Sequence, residues 1–228
     1  TELRESSFPD AKIIGVRSPN SLTQQPQLEN ITYITMKMGV AETFAQMFRF
    51  EPQLRNVLVV TDQSINGKSL ANYAKKAWEP FASKANLILL DSNDIDVVLQ
   101  HIEKLDEKDA ILFMSFITDS QNRIYKSSTW NTLLALHNRA PVYGIVAGDY
   151  YGLPVDGMKG SYVGGYLWDI EHVGVELANL SIQMLEGDVP KGPVEAADVV
   201  RPMFDYQGME RFGFLKQVLP KETVIINK

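Results

Sequence analysis

Asp109–Asp119 reads DAILFMSFITD. Within it, Ala110–Met114 is an unbroken apolar run of five residues, long enough for a strand buried on both faces and too short for a helix. Polar residues take over at Ser115. The same order recurs at Asn56–Ser64 (NVLVVTDQS), Asn86–Ser92 (NLILLDS) and Val142–Asp149 (VYGIVAGD), each an apolar run closed by Ser, Thr, Asp or Gly. Stretches with apolar residues at helical spacing separate these runs, so they read as βα units of a doubly wound, open parallel sheet. Such sheets bind ligands beyond the carboxyl ends of their strands, where the strand order reverses. The polar clusters fall at those ends.

The usual order 2-1-3-4-5 puts Ala110–Ser115 in the middle of the sheet. Val57–Val60 and Val142–Val146 then flank it, with Leu87–Leu90 outside the former. The connecting helices are expected at Ser69–Phe81, Ile95–Leu105, Thr129–Arg139 and Glu171–Glu186, the second capped by Asn93 or Asp94. Leu70, Tyr73, Ala74, Ala77 and Trp78 share one face of the first, and Gly187 and Pro190 close the last. A further strand is expected at Ser161–Gly165. Residues 55–197 therefore read as a complete Rossmann-like α/β lobe. Residues 1–54 offer strands at Lys12–Val16 and Ile31–Met36 and a helix at Ala41–Phe50 stopped by Pro52. Residues 198–228 offer strands at Val199–Phe204 and Thr223–Ile226 around a short helix, Tyr206–Phe212. These two flanks together read as part of a second lobe with crossover segments.

Composition narrows the classes of function. The 228 residues are 45% apolar and 22% charged, with a net charge of −6, which is ordinary for a globular chain. No Lys/Arg cluster is dense enough to track phosphates, so nucleic acid is not an expected partner. No run approaches the roughly 20 apolar residues that span a bilayer, and any membrane attachment would come from an anchor outside this chain. The absence of cysteine excludes disulfides, thiolate catalysis and Cys-ligated zinc, and is compatible with an oxidising compartment.

The remaining chemistry favours binding over catalysis. DQSINGKS (Asp62–Ser69) occupies the place of a phosphate loop but lacks the glycine spacing, and G-x-G-x-x-G is absent, so no nucleotide cofactor is implied. His101, His137 and His172 lie far apart on expected helices, without the i, i+4 pairing of a metal site. Ser64 and Ser115 are in no nucleophile elbow. Asp62, Asp119 and Asp149 share one position just past their strands. Near the last of them, Tyr150, Tyr151, Tyr162, Tyr166 and Trp168 crowd a glycine-rich stretch that reads either as core with tight turns or as a ligand-gripping mouth.

Four stretches carry a family resemblance: MSFITDSQNRIY (Met114–Tyr125), YGIVAGDYYG (Tyr143–Gly152), Gly160–Pro190 and RPMFDYQGMERFGFLKQVLPKETVIIN (Arg201–Asn227). Together they resemble the substrate-binding proteins of ABC transporters with the type I periplasmic fold. The closer resemblance is to the version found as an extracytoplasmic sensor domain ahead of histidine kinases and diguanylate cyclases. That family closes two α/β lobes on a small molecule. Residues 56–190 resemble its whole second lobe, Phe8–Pro19 resembles a late strand of the first, and the first lobe's early strands have no counterpart here. The resemblance nominates the loops after the second-lobe strands as ligand contacts: Asp62, Gln63 and Ser64, then Ser115 and Phe116, then Asp149 and Tyr150. It implies a periplasmic or otherwise extracytoplasmic module without cofactor or metal, binding an amino acid or similar metabolite, and is compatible with a homodimer. The alternatives are an α/β enzyme using Asp119 or Asp149 as a general base, and a purely structural or dimerisation domain.

Overall fold

The computed structural model describes residues 7, 10–17, 31–90, 92–150, 160, 162–196 and 199–228. In chain order the elements begin with β1 (Ile13–Arg17), β2 (Ile31–Met36), α1 (Val40–Phe50), β3 (Asn56–Thr61), α2 (Ile65–Trp78) and β4 (Asn86–Leu89). They continue with α3 (Ile95–Glu103), β5 (Asp109–Ser115), α4 (Ser127–His137), β6 (Val142–Tyr143) and β7 (Tyr162–Trp168). The last are α5 (Ile170–Leu185), β8 (Val194–Ala196), β9 (Val200–Asp205), α6 (Tyr206–Arg211) and β10 (Val224–Ile226). Short 3-10 turns lie at Glu79–Phe81, Ala147–Tyr150 and Phe214–Lys216. Among the described residues no helix is long and apolar enough to cross a membrane.

Contacts divide the chain into a smaller unit, Thr1–Met38 with Asp169–Val199, and a larger one, Gly39–Trp168 with Val200–Lys228. The smaller unit holds a three-stranded parallel sheet in the order β1-β2-β8. Its helix α5 starts on Asp169, whose side chain accepts from the Glu171 N–H, and its end is tied to the sheet by Lys12 Nζ, which donates to the Met184 carbonyl at 2.6 Å.

The larger unit holds a seven-stranded sheet in the order β10-β9-β7-β6-β5-β3-β4. All its pairings are parallel except β7 with β9. β5 lies between β3 and β6 with β4 outside β3, as the apolar runs imply. Leu58, Val60, Ile111, Phe113 and Val142 from these strands share a buried core with Ile102, Trp130 and Leu134 of α3 and α4. On α2, Trp78 is 5% exposed and meets Phe44 of α1 edge to face at 4.8 Å. Leu105, just past α3, is also buried.

Two expectations are corrected. The expected strand Val142–Val146 is continuous only over Val142–Tyr143, with one isolated parallel bridge from Val146 to Trp168. Gly144 turns to donate to the Gly164 carbonyl and the Ile145 carbonyl accepts from Trp168, so the chain follows β7 loosely before the turn at Ala147–Tyr150. β8 has no counterpart among the expected strands, because three residues straight after Pro193 leave no pattern to read. By contacts, α5 and β8 group with the amino-terminal strands, and α1 and the tail from Val200 group with the larger unit. The tail is placed by β9, which zips antiparallel onto β7 from Gly164–Phe204 to Trp168–Val200. Tail contact is close, since a Cβ on Gly208 would stand 1.8 Å from the Tyr162 carbonyl oxygen.

The burial of Trp78 sets a stability test. Trp78→Ala is expected to cost about 3 to 5 kcal/mol, from lost transfer energy plus the cavity left behind, read as a lower midpoint of urea unfolding with an unchanged slope.

Candidate functional site

β4 lies on one side of β3 and β5 on the other, so the strand order reverses between β3 and β5. Helices leaving parallel strands start at the carboxyl edge, and the crevice at this reversal is where such sheets take ligands. Asp62, Gln63 and Ser64 follow β3 there, and Ser115 and Phe116 close β5. Hydrogen bonds bring these two groups together. The Asp62 N–H donates to the Ser115 carbonyl at 2.9 Å. The buried Asp62 carboxylate accepts the Ser64 N–H at 3.1 Å and hydroxyl at 2.5 Å on one oxygen, and the Ile117 N–H at 2.9 Å on the other.

Ser64 in turn starts α2. Its extended backbone (φ −62°, ψ 164°) suits an N-cap, and its Oγ accepts from the Gly67 N–H, satisfying one of the helix's orphan donors. Only glycine fits at position 67, because a Cβ there would stand 2.0 Å from the Asp62 carbonyl oxygen. The first turn of α2 is thus pressed against the end of β3. Among the described residues, the Ile65 and Asn66 N–H groups at that turn have no acceptor. They sit at the positive end of a 14-residue helix, with the exposed Lys68 one position beyond the glycine. Such an end suits a carboxylate or phosphate.

Other nominated residues are placed differently. The Gln63 N–H donates to Asn93 Oδ1 at 2.9 Å, and Asn93 Nδ2 donates to the Thr118 carbonyl at 2.6 Å. Asn93 therefore clamps the loops after β3, β4 and β5, leaving Asp94 to cap α3 by accepting from the Asp96 N–H. The Phe116 ring is 2% exposed and packs against Trp130 at 5.0 Å, while its carbonyl accepts from the Trp130 indole at 2.8 Å. The exposed apolar groups at this edge are instead Ile65 at 93%, Ile117 at 55% and Ile124 at 75%. Tyr162 is buried against Phe113 and belongs to the core. Asp149 and Tyr150 lie on the 3-10 turn after β6; their side chains, with Tyr151, lie outside the described residues.

Asp119 holds a small hairpin together. Its carboxylate accepts the Gln121 and Arg123 N–H groups at 2.9 Å each, Arg123 Nε at 2.6 Å and the Tyr125 hydroxyl at 3.0 Å. Burial pushes its pKa up, but the Arg123 N–H and guanidinium, the Tyr125 hydroxyl and the Gln121 N–H outweigh it and hold the carboxyl at about 2. A group with four donors and so low a pKa is poorly matched to base catalysis near neutrality. His101 meets the Val97 carbonyl, His137 meets Glu103 and His172 meets Asp169. Among the described residues no three His, Asp or Glu side chains gather to hold a metal.

The mixed α/β architecture with a mostly parallel central sheet matches that of solved periplasmic-binding-protein-like structures. An ABC domain from Streptococcus pneumoniae, in complex with L-Trp, matches at TM-score 0.63 and 14% identity over 96% of this chain and 75% of its own. A conserved domain protein from Vibrio cholerae matches at TM-score 0.59 and 19% identity, and there the alignment covers 87% of this chain but only 65% of that one. A ligand-free, open substrate-binding protein with adhesive properties from Clostridium difficile matches at 0.59 and 15%, over 97% and 74%. No family model and no curated protein matches the chain in sequence.

The Asp119 hairpin sets a pH test. A carboxyl held at about 2 when folded, against the ordinary 3.8, contributes stability that is complete above the unfolded value and is lost as the pH falls through the folded one. Asp119→Asn is therefore expected to lower the thermal midpoint at pH 7 and to flatten its fall between about pH 4 and pH 2, measured by circular dichroism.

Proposed function

We propose that the chain is a non-catalytic, extracytoplasmic small-molecule binding module. In this reading it is the ligand-sensing domain of a bacterial signal-transduction receptor, of the kind that precedes histidine kinases and diguanylate cyclases, or an ABC-type solute-binding protein. The observation that carries the reading is the free first turn of α2 at the strand-order reversal, braced from beneath by Asp62. Preorganised N–H donors beside exposed isoleucines suit a small metabolite that carries a carboxylate and an apolar part, such as an amino acid. The L-Trp held by the Streptococcus pneumoniae neighbour is consistent with that class.

In this reading the Asp62–Ser64 loop and the Ser115–Phe116 turn frame the ligand largely through backbone groups. Asp149 accepts a donor from the ligand and Tyr150 covers its apolar part. The smaller unit corresponds to part of the lobe that would complete such a binding protein.

A thermal-shift screen of amino acids and related metabolites, followed by calorimetric titration, tests the proposal. The discriminating variant is Ile65→Pro. Proline is accepted at the first helical position, and the extended Ser64 already has the conformation a following proline demands, so folding survives while one free N–H is removed. Affinity for a carboxylate ligand is expected to fall by about 1.5 to 3 kcal/mol relative to an Ile65→Val control. Asp149→Asn, which keeps shape and removes charge, is expected to weaken an amine-bearing ligand by a similar amount, about 1.5 to 3 kcal/mol. Conversion of the ligand to a product during incubation would instead establish an enzyme.

A further inference from the structure

Helix α5 of the smaller unit buries only Leu180 and Met184. Away from them Val175, Ala178, Ile182 and Leu185 recur at intervals of three, four and three residues, the spacing of a seam between two packed helices. Val175 is 57% exposed, Ile182 55% and Leu185 83%, and Ala178 is exposed as well. Glu176, the single charge between Val175 and Leu185, falls well around the helix from this stripe at about 100° per residue. A helix that is apolar on two sides is ordinarily covered on both. Among the described residues the stripe on α5 is left open.

Gly174, beside the stripe, is a second observation. It stands within α5, where glycine lowers helix stability relative to alanine. A Cβ built on it would meet no atom within 4 Å, and its φ is not positive. Neither crowding nor backbone conformation within the chain therefore calls for a glycine. Together with Ala178 one turn on, it leaves a shallow groove along Val175, while Leu185 stands out as a knob further along the same helix.

We infer that this face of α5 is a self-association surface, on which a second copy of the chain lays its own α5 antiparallel about a two-fold axis near Leu180. Leu185 of one copy then falls opposite Val175 of the other, over the groove between Gly174 and Ala178, and Ile182 falls opposite Ala178. Each larger side chain meets a smaller one, and the two-fold axis makes every such contact twice. A parallel pairing would set Ala178 on Ala178 and Leu185 on Leu185, leaving one layer empty and the next crowded. The antiparallel pairing also sets the two helix dipoles head to tail. Size governs the strength of the contact. Four side chains along about 15 Å of helix make a patch of roughly a few hundred Å², the scale at which exposed apolar surface marks a contact. That is below the roughly 800 Å² per partner of a standard interface, so the dimer is weak and reversible.

Sedimentation equilibrium of the 228-residue chain tests this. The average mass is expected to rise from monomer toward dimer between about 1 and 100 μM. Gly174→Leu fills the groove from a position with open space around it, and Leu185→Lys charges the knob in the last turn of the helix, where a cation suits the dipole. Each should raise the dimer dissociation constant at least about tenfold. The thermal midpoint of either variant, read at about 1 μM where the chain is monomeric, should match or exceed that of the wild type. Because the sequence contains no cysteine, single substitutions report the orientation. Asn179→Cys, beside the axis, should be joined to its own copy by a short bis-maleimide, whereas Glu186→Cys, about 20 Å from its own copy, should not. A chain that stays monomeric to about 100 μM overturns the proposal, as does a dimer that either Gly174→Leu or Leu185→Lys leaves intact. Equal cross-linking of the two cysteine variants overturns the antiparallel arrangement.

Discussion

The Asp62 carboxylate ties the ends of β3 and β5 into one structure. Both its oxygens are occupied from within the chain, one by Ser64 and the other by the Ile117 N–H. A buried carboxylate is costly unless hydrogen-bonded, and these donors satisfy it while fixing where each loop leaves its strand. Ser64 is thereby positioned to cap α2, and Gly67 allows the helix to approach the carbonyl of Asp62 itself. The direction of the free N–H groups at the start of α2 follows from that chain of contacts. A ligand at this edge would meet a surface whose shape was fixed in folding, which reduces the ordering cost of binding.

How far this was legible in the sequence depends on whether each feature is local. β3 and β5 are buried on both faces, so their apolar runs announce them, and the strand order follows from the usual winding. Asp62, Ser64 and Ser115 are readable as residues just past strands. Phe116 is not readable in the same way. An aromatic residue past a strand suggests a ligand cover, but its orientation is decided by Trp130, 14 residues away, which takes both its ring and its carbonyl. Asn93 looks like one of two possible helix caps until the loops after β3 and β5 are brought beside it. Asp119 looks like a candidate base until Arg123 and Tyr125 fold back onto it. In each case the partner is set by tertiary approach rather than by a repeating pattern.

The same distinction explains the boundaries. Apolar alternation in the tail marks strands but does not say which sheet they join. β7 would otherwise present an open edge beyond β6, and covering it with β9 removes unpaired backbone groups that buried chain cannot leave unmet. That gain favours placing the tail on the larger sheet. β8, with only three residues, completes the small sheet by pairing with β2 and leaves no comparable signal.

The tail also links the two edges of the sheet. Asp205 ends β9 and caps α6 by accepting from the Gly208 N–H at 2.7 Å, and Asn227, just past β10, donates to its other oxygen. Burial raises the Asp205 pKa, and the hydrogen bonds from Gly208, Asn227 and Gln207 oppose that rise. Gly208 meanwhile presses α6 onto the Tyr162 carbonyl, and Tyr162 packs against Phe113 within β5. Arg211 lies one turn further along α6 and donates to the Asn138 carbonyl ahead of β6, so the amino edge, where the parallel strands begin, is closed by the packing that supports the middle strand. The two edges therefore share one rigid sheet, closed by the tail at one and presenting helix N–H groups with apolar side chains at the other.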